Sequence, residues 1–243
     1  MIEDQIASNL SQVRARIQAA TERAGRPAGG VALIAVSKKQ PASAIRAAYA
    51  AGQRAFGESY LQEALDKMAG LADLDIEWHF IGRIQANKTR QIAAHFDWVH
   101  GLSDPAHAHR LSEQRPAEAP PLAVCIQVNL SGEASKGGVA PSETAGLLSL
   151  CDALPGLRPR GLMTLPAPAD DEASQRLPFQ ALRALRDRLA TPERPLDCLS
   201  MGMSDDLEAA ILEGATQVRI GTAVFGARPY NRGQAGAIAT ADH

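Results

Sequence analysis

The sequence runs to 243 residues, with 45% apolar and 21% charged side chains and a formal net charge of -2. That length and balance suit a globular chain that buries a core without disulfide or metal staples, and the near-neutral charge argues against nucleic-acid or anionic-membrane partners. No uninterrupted apolar run reaches the roughly 18 residues of a membrane span, and the mixed-charge opening MIEDQIASNLSQVRARIQAA lacks the apolar centre of a secretory signal.

Ile6, Leu10, Val13 and Ile17 recur at spacings of four, three and four, which predicts one amphipathic helix over 3–24, stopped by Ala24-Gly25-Arg26-Pro27. Beyond it, short apolar runs at 32–37, 54–57, 77–82, 97–101, 122–130, 158–165, 197–203 and 217–222 alternate with helix-like stretches near 42–52, 60–70, 87–95, 104–115, 142–153, 171–190 and 205–214. Strands alternating with helices imply parallel βα units. Eight units in about 250 residues fit a single (β/α)8 TIM barrel of the α/β class, with an extra N-terminal helix. An open doubly wound sheet is the competing arrangement; it usually carries a Gly-rich first turn, whereas here the first strand ends in Ser37-Lys38-Lys39. One domain over 1–230 is expected, with 231–243 a small, polar, disordered tail.

In such barrels the functional groups sit at the C-terminal ends of the strands. Lys38 ends the first, in VALIAVSKKQP. At the mouth of an apolar barrel its ammonium is partly desolvated, and a neutral amine there can form a Schiff base with an aldehyde. The plainer reading is a strand-end lysine in solvent. Lys39 points to the other side of the strand, so at most one of the pair faces a pocket. Ser204-Asp205-Asp206 reads as a helix start with Ser204 as N-cap, and Gly221-Thr222 closes the last strand with a close-approach glycine, a hydroxyl and an N–H. Together they form two candidate phosphate seats in the loops after strands seven and eight. Asp205 and Asp206 read as helix-end electrostatics. Arg219 lies two residues before Gly221 on the same face, and its guanidinium only donates hydrogen bonds.

The blocks AVSK, FGESYLQEA, WHFIGRIQANK, IQVNLSGEASKGG, GLMTLPAP, SMGMSDDLEAAI and VRIGTAVFGAR, in this order over roughly residues 31–228, resemble the YggS/PROSC family of pyridoxal phosphate homeostasis proteins. The resemblance extends to the barrel domain of alanine racemase and implies a fold-type III pyridoxal 5'-phosphate site. It implies that Lys38 carries the cofactor as an internal aldimine, that Ser204, Gly221 and Thr222 hold its phosphate, and that Arg219 faces the pyridine nitrogen. Met163 and Asn87 are expected to line the pocket. Lys136, in EASKGG, matches a family lysine that offers a second, transient cofactor site; its plainer reading is an exposed loop lysine. Two departures stand out: Ser59 where the family commonly has Asn, and Arg83 at a position that is often Pro, read here as a rim residue.

The expected function is that of a carrier with little or no catalytic turnover and no catalytic residue assigned, handing pyridoxal phosphate to apoenzymes that require it. The alternative is a racemase-like enzyme. A racemase needs a base on each face of the substrate's α-carbon; in the resembling racemases the second is a tyrosine from a C-terminal β domain of a partner subunit, and no such domain is expected here. Tyr230 is the one tyrosine after Thr222. A third reading, a sugar- or nucleotide-phosphate barrel without a Schiff base, leaves Lys38 no covalent task. His107 and His109 do not share a helix face, His79 reads as a satisfied core histidine, and no metal site is expected. The three cysteines, Cys125, Cys151 and Cys198, suggest no disulfide or zinc framework; Cys125 reads as a buried inert thiol and the compartment as reducing and cytoplasmic. A monomer is expected.

Overall fold

The structure, a computed structural model, describes residues 2–132 and 137–226. Lys136, Tyr230 and the 231–243 tail therefore lie outside the described residues. After helix α1 (Ile2–Arg23) come β1 (Ala32–Val36), α2 (Ala42–Ala50), β2 (Ala55–Glu58), α3 (Leu61–Ala69) and β3 (Glu77–Phe80). A 3-10 turn (Ala86–Lys88) leads into α4 (Thr89–His95), then β4 (Trp98–Leu102), α5 (Pro105–Glu113), β5 (Leu122–Gln127), α6 (Thr144–Asp152) and β6 (Leu157–Met163). The last elements are α7 (Glu172–Leu189), β7 (Cys198–Ser200), α8 (Leu207–Leu212), β8 (Gln217–Ile220) and the short α9 (Thr222–Phe225).

The eight strands pair in chain order, all parallel, and β8 closes on β1 with Arg219 opposite Ile34. The ring is the closed (β/α)8 barrel rather than the open sheet. Several apolar runs outlast their strands: β3 stops at Phe80, β5 at Gln127 and β7 at Ser200. In each case the next residue still donates its N–H to the neighbouring strand, Ile81 to Glu58, Val128 to Met163 and Met201 to Gln217, before the chain passes into the rim loops.

Two packing layers divide the buried side chains. The larger lies between sheet and helices and contains Phe56, Phe80, Phe96, Ile45, Leu111 and Phe179. The smaller sits inside the barrel: Trp98, Ala123, Cys125, Met163 and Cys198. The sequence suggested an apolar barrel, but the interior also holds His79, His100, Ser200, Gln217 and Arg219, all buried. Such groups are tolerated there because they bond one another. Cys125 and Cys198 are reduced, with their sulfurs 3.5 Å apart. The Cys198 contact and then burial push the Cys125 thiol well above its ordinary range, so it is unreactive.

Helix α1 buries Ile6, Leu10, Val13 and Ile17, as its spacing predicts, and packs on the outside of the barrel against α2, α8 and α9. It straddles the seam where β8 meets β1. Asn9 donates to the Val224 carbonyl, and Arg14 donates to the Ala51 carbonyl. That seat brings one face of α1 to the mouth at the ends of β1 and β8.

Candidate functional site

β1 ends at Val36, and Ser37 continues its line before a turn at Lys38-Lys39. Lys39 takes the left-handed backbone conformation, φ 63°, which is uncommon for a side chain larger than glycine. Buried polar groups hold the turn from beneath. The Lys67 ammonium donates to the Ser37 carbonyl at 2.8 Å, to Glu58 at 2.7 Å and to Glu63 at 2.6 Å. The Ser37 hydroxyl donates to Glu58, and the Lys39 N–H donates to Glu63. Burial pushes the Glu58 carboxyl above its ordinary range, against the pull of Lys67 and Ser37. The turn separates the paired lysines. Lys38 is half-buried and lines a cavity, while Lys39 is exposed with its ammonium 5.9 Å from the Tyr60 ring centroid.

That cavity is about 560 Å³ and opens at the C-terminal end of the barrel. Lys38, Met163, Ser204, Arg219, Gly221 and Thr222 all line it. Asn87 does not: it is exposed on the 3-10 turn. Ser59 lines the cavity, and Arg83 is exposed and does not. Gly82 explains how Ser59 is seated, since a Cβ there would meet the Ser59 carbonyl at 2.2 Å. Gly221 lies against β1 in the same way; its Cβ would come 3.3 Å from the Val36 carbonyl.

The phosphate-seat region differs from the expected helix start. Ser204–Asp206 is a turn, α8 begins at Leu207, and Asp206, not Ser204, holds the N-cap position without a capping side-chain bond. The Asp206 carboxylate instead accepts the Met203 N–H at 2.6 Å, which commits it to closing the turn after β7. After β8, Gly221 caps α9 and Thr222 is its first residue. The Val224 and Phe225 N–H groups donate back to the Gly221 carbonyl. That leaves the Thr222 and Ala223 N–H groups with no acceptor within the helix, and both residues line the cavity.

Arg16 was not legible as a site residue. It comes from α1, lines the cavity, and donates to the Ser204 carbonyl at 3.0 Å and to Glu208 at 2.7 and 2.9 Å. Glu208 is the main partner of its charge, and Asp205, the exposed carboxylate on the same wall, acts on it through space. The helix spacing marks only the buried stripe of α1, and Arg16 lies on its flank.

Arg219 is 5% exposed. One guanidinium nitrogen donates to the Ser200 hydroxyl at 2.5 Å and the other to the Thr164 carbonyl at 3.0 Å. Burial brings its pKa down to about 10, partly opposed by Asp206, so it is still a cation at neutral pH. His79 is buried and doubly partnered, as expected of a core histidine, to Glu77 at 2.7 Å and to His100 at 2.9 Å. Among the described residues no cluster of metal-ligating side chains occurs, and no helix is long and apolar enough to cross a membrane. Ser131 and Gly137, on either side of the segment that contains Lys136, line a second cavity of about 460 Å³ that shares Leu165 with the first.

The cavity therefore offers an amine, a buried cation, hydroxyls and backbone donors around a space of the size that takes a small ligand. The chain matches the family described as alanine racemase, N-terminal domain, over residues 8–229. A pyridoxal phosphate homeostasis protein of Pseudomonas aeruginosa is 59% identical over 225 residues, 93% of this chain and 96% of that one. This chain belongs to the pyridoxal phosphate homeostasis protein family. The member from Escherichia coli (strain K12) is 50% identical over 233 residues, 93% of this chain and 98% of that one. The solved structure of PipY from Synechococcus elongatus, with PLP bound, superposes with a TM-score of 0.81 at 39% identity, covering 91% of this chain and 100% of that one. Alanine racemase from Corynebacterium glutamicum, 22% identical with a TM-score of 0.66, covers 95% of this chain and 62% of that one, and shares the fold.

Proposed function

We propose that this protein binds pyridoxal phosphate in the 560 Å³ cavity, with Lys38 as the covalent attachment point, and serves as a carrier with little or no turnover. The observation that carries the reading is the gathering of Lys38, Arg219, Ser204, Gly221 and Thr222 on one cavity wall. The donor set suits a phosphorylated pyridine aldehyde. The cofactor supplies an aldehyde able to bond an amine, a phosphate dianion and a ring nitrogen. Lys38 is the only amine on the wall among the described residues. Ser204, Thr222 and the backbone at Gly221 form the phosphate cradle, with Arg16 holding the Ser204 carbonyl at its edge. Arg219, a donor that cannot accept a proton, would hold the ring nitrogen unprotonated, which weakens the ring as an electron sink. Asn87, exposed on its turn, contributes only if ligand binding brings it inward.

The carrier reading is supported by the composition of the wall. Among the described residues lining the cavity there is no tyrosine, histidine or cysteine to act as a second base, and the one carboxylate, Asp205, is exposed beside Arg16. Recipients are apoenzymes that need the cofactor, and the compartment is cytoplasmic. Lys136 offers a second, transient attachment point, its flanking residues bordering the adjoining cavity. The test is an absorbance titration with pyridoxal phosphate. A visible band is expected in the wild type and in Lys136→Ala and should be lost in Lys38→Ala. A brisk amino-acid racemisation rate at micromolar protein would replace the carrier reading with an enzymatic one.

A further inference from the structure

A continuous file of hydrogen bonds crosses the barrel interior. Glu77 Oε1 lies 2.7 Å from His79 Nε2, and His79 Nδ1 lies 2.9 Å from His100 Nε2. His100 Nδ1 lies 2.7 Å from Ser200 Oγ, which accepts from Arg219 at 2.5 Å. The file enters at the first residue of β3, where the Glu77 side chain is 50% exposed, and ends at the guanidinium beneath the cavity. β4 and β7 are not neighbours in the ring, so the His100–Ser200 bond spans the interior rather than running along the sheet.

We infer that His100 and Ser200 are positioning residues for Arg219, and that with His79 and Glu77 they form a one-directional relay that fixes this cation from the far end of the barrel.

The two ends set the direction. A guanidinium only donates and a carboxylate only accepts. Between them each neutral group has one donor and one acceptor to contribute. Arg219 donates to Ser200, and the Ser200 hydroxyl donates to His100 Nδ1. His100 Nε2–H then donates to His79 Nδ1, and His79 Nε2–H donates to Glu77. In this assignment both imidazoles are neutral, every group in the file is satisfied, and its two ends carry opposite charges. The reverse order fails at both ends. A neutral His79 donating to His100 would turn a bare Nε2 lone pair toward the Glu77 carboxylate. At the other end a His100 Nδ1–H donating to Ser200 would leave the hydroxyl proton facing Arg219, which cannot accept it.

The surroundings favour the neutral state. His100 is fully buried, and burial first, with the Arg219 cation close by, holds its pKa well below the ordinary value. The other groups facing this space are Cys125, Cys198 and Gln217, and the Trp98 ring lies 5.6 Å from His79 in a stacked arrangement. A buried guanidinium is usually paired with a carboxylate. Arg219 instead rests on a hydroxyl and a carbonyl, with Asp206 acting on it only through space. Its charge is therefore left largely unneutralised toward the cavity while its orientation is fixed by neutral bonds.

The inference rests on the proposed cofactor site for its purpose but not for its geometry, so the test has two arms. In the apo protein, the ring N–H resonances of His79 and His100 are followed by NMR. Ser200→Ala at one end and Glu77→Ala at the exposed end should each move both histidines' signals. If each substitution moves only its immediate neighbour, the groups are packed side by side and no relay exists. In the second arm, pyridoxal phosphate is titrated. Ser200→Ala should weaken binding about three- to tenfold, the effect of one hydrogen bond, and shift the bound absorbance band, whereas Ser200→Thr, which keeps the hydroxyl, should restore both. Equal affinity and an unchanged band in Ser200→Ala would overturn the positioning role. Should Ser200→Ala fail to fold, Glu77→Ala decides both arms, with the same shift of band expected. If the wild type binds no pyridoxal phosphate, the functional reading falls, and the relay is judged on the apo resonances alone.

Discussion

The Lys67 ammonium lies 2.7 Å from the Glu58 carboxylate, both buried, directly beneath the turn that carries Lys38. The same ammonium holds the Ser37 carbonyl and Glu63, so one cation ties the end of β1 to β2 and α3. Removing one partner of a buried pair leaves the other charge unpaired, at a cost of about 3–5 kcal/mol. Lys67→Met is therefore expected to lower stability by about that amount in denaturant unfolding and to impair attachment at Lys38. Pairing it with Glu58→Leu should recover part of the loss.

Gly82 tests the seating of Ser59. A Cβ at this position would come within 2.2 Å of a backbone oxygen, which cannot swing aside as a side chain can. Gly82→Ala is expected to cost about 1–3 kcal/mol through forced backbone movement. Because the displaced residue lines the cavity, ligand affinity should fall along with thermal stability. An unchanged melting temperature would mean the two loops are not packed as described.

His100 sets an acid limit. Its folded pKa is held below the ordinary histidine value of about 6.5 by burial first. In the window between those two values the unfolded chain binds the extra proton and the folded chain does not. Stability is therefore fully present above about pH 6.5 and declines as the pH falls below it, with a limiting slope of about 1.4 kcal/mol per pH unit. Unfolding measured from pH 7.5 to 5 should show this decline, and His100→Asn should flatten it. A wild-type curve that stays level through that range would contradict the burial of a neutral imidazole.

The phosphate cradle can be examined one donor at a time. Ser204→Ala and Thr222→Ala each remove a hydroxyl from the cavity wall. A hydrogen bond to a charged group contributes about 1.5–3 kcal/mol, so each change is expected to weaken pyridoxal phosphate about ten- to a hundredfold. Binding of pyridoxal without its phosphate should be nearly indifferent to both. Equal losses for the two ligands would move the phosphate elsewhere.

Much of the barrel was legible in local pattern, and so was part of the site. The run Ala32–Val36 followed by two lysines marks a buried strand ending at a functional rim, and Arg219 and Gly221 share a face by simple alternation. Lys38, Ser204 and Thr222 were nameable from where strands end. The helix start was misplaced because Ser-Asp-Asp satisfies the N-cap preference in two registers, and only the Met203–Asp206 bond selects the later one. Arg16 was invisible because its role depends on where α1 docks, which no spacing within α1 encodes. The Glu77–His79–His100–Ser200–Arg219 file was equally hidden. Its members sit on β3, β4, β7 and β8, and only closure of the ring brings them into contact. The sequence marked the interior as apolar because each strand, read alone, is mostly so.

The most direct measurement is borohydride reduction of the protein after incubation with pyridoxal phosphate, followed by peptide mass spectrometry. The expected result is a pyridoxyl group on Lys38, lost in Lys38→Ala without gain at Lys39. Stoichiometric binding with no label on Lys38, or label carried chiefly by another lysine, would contradict the account.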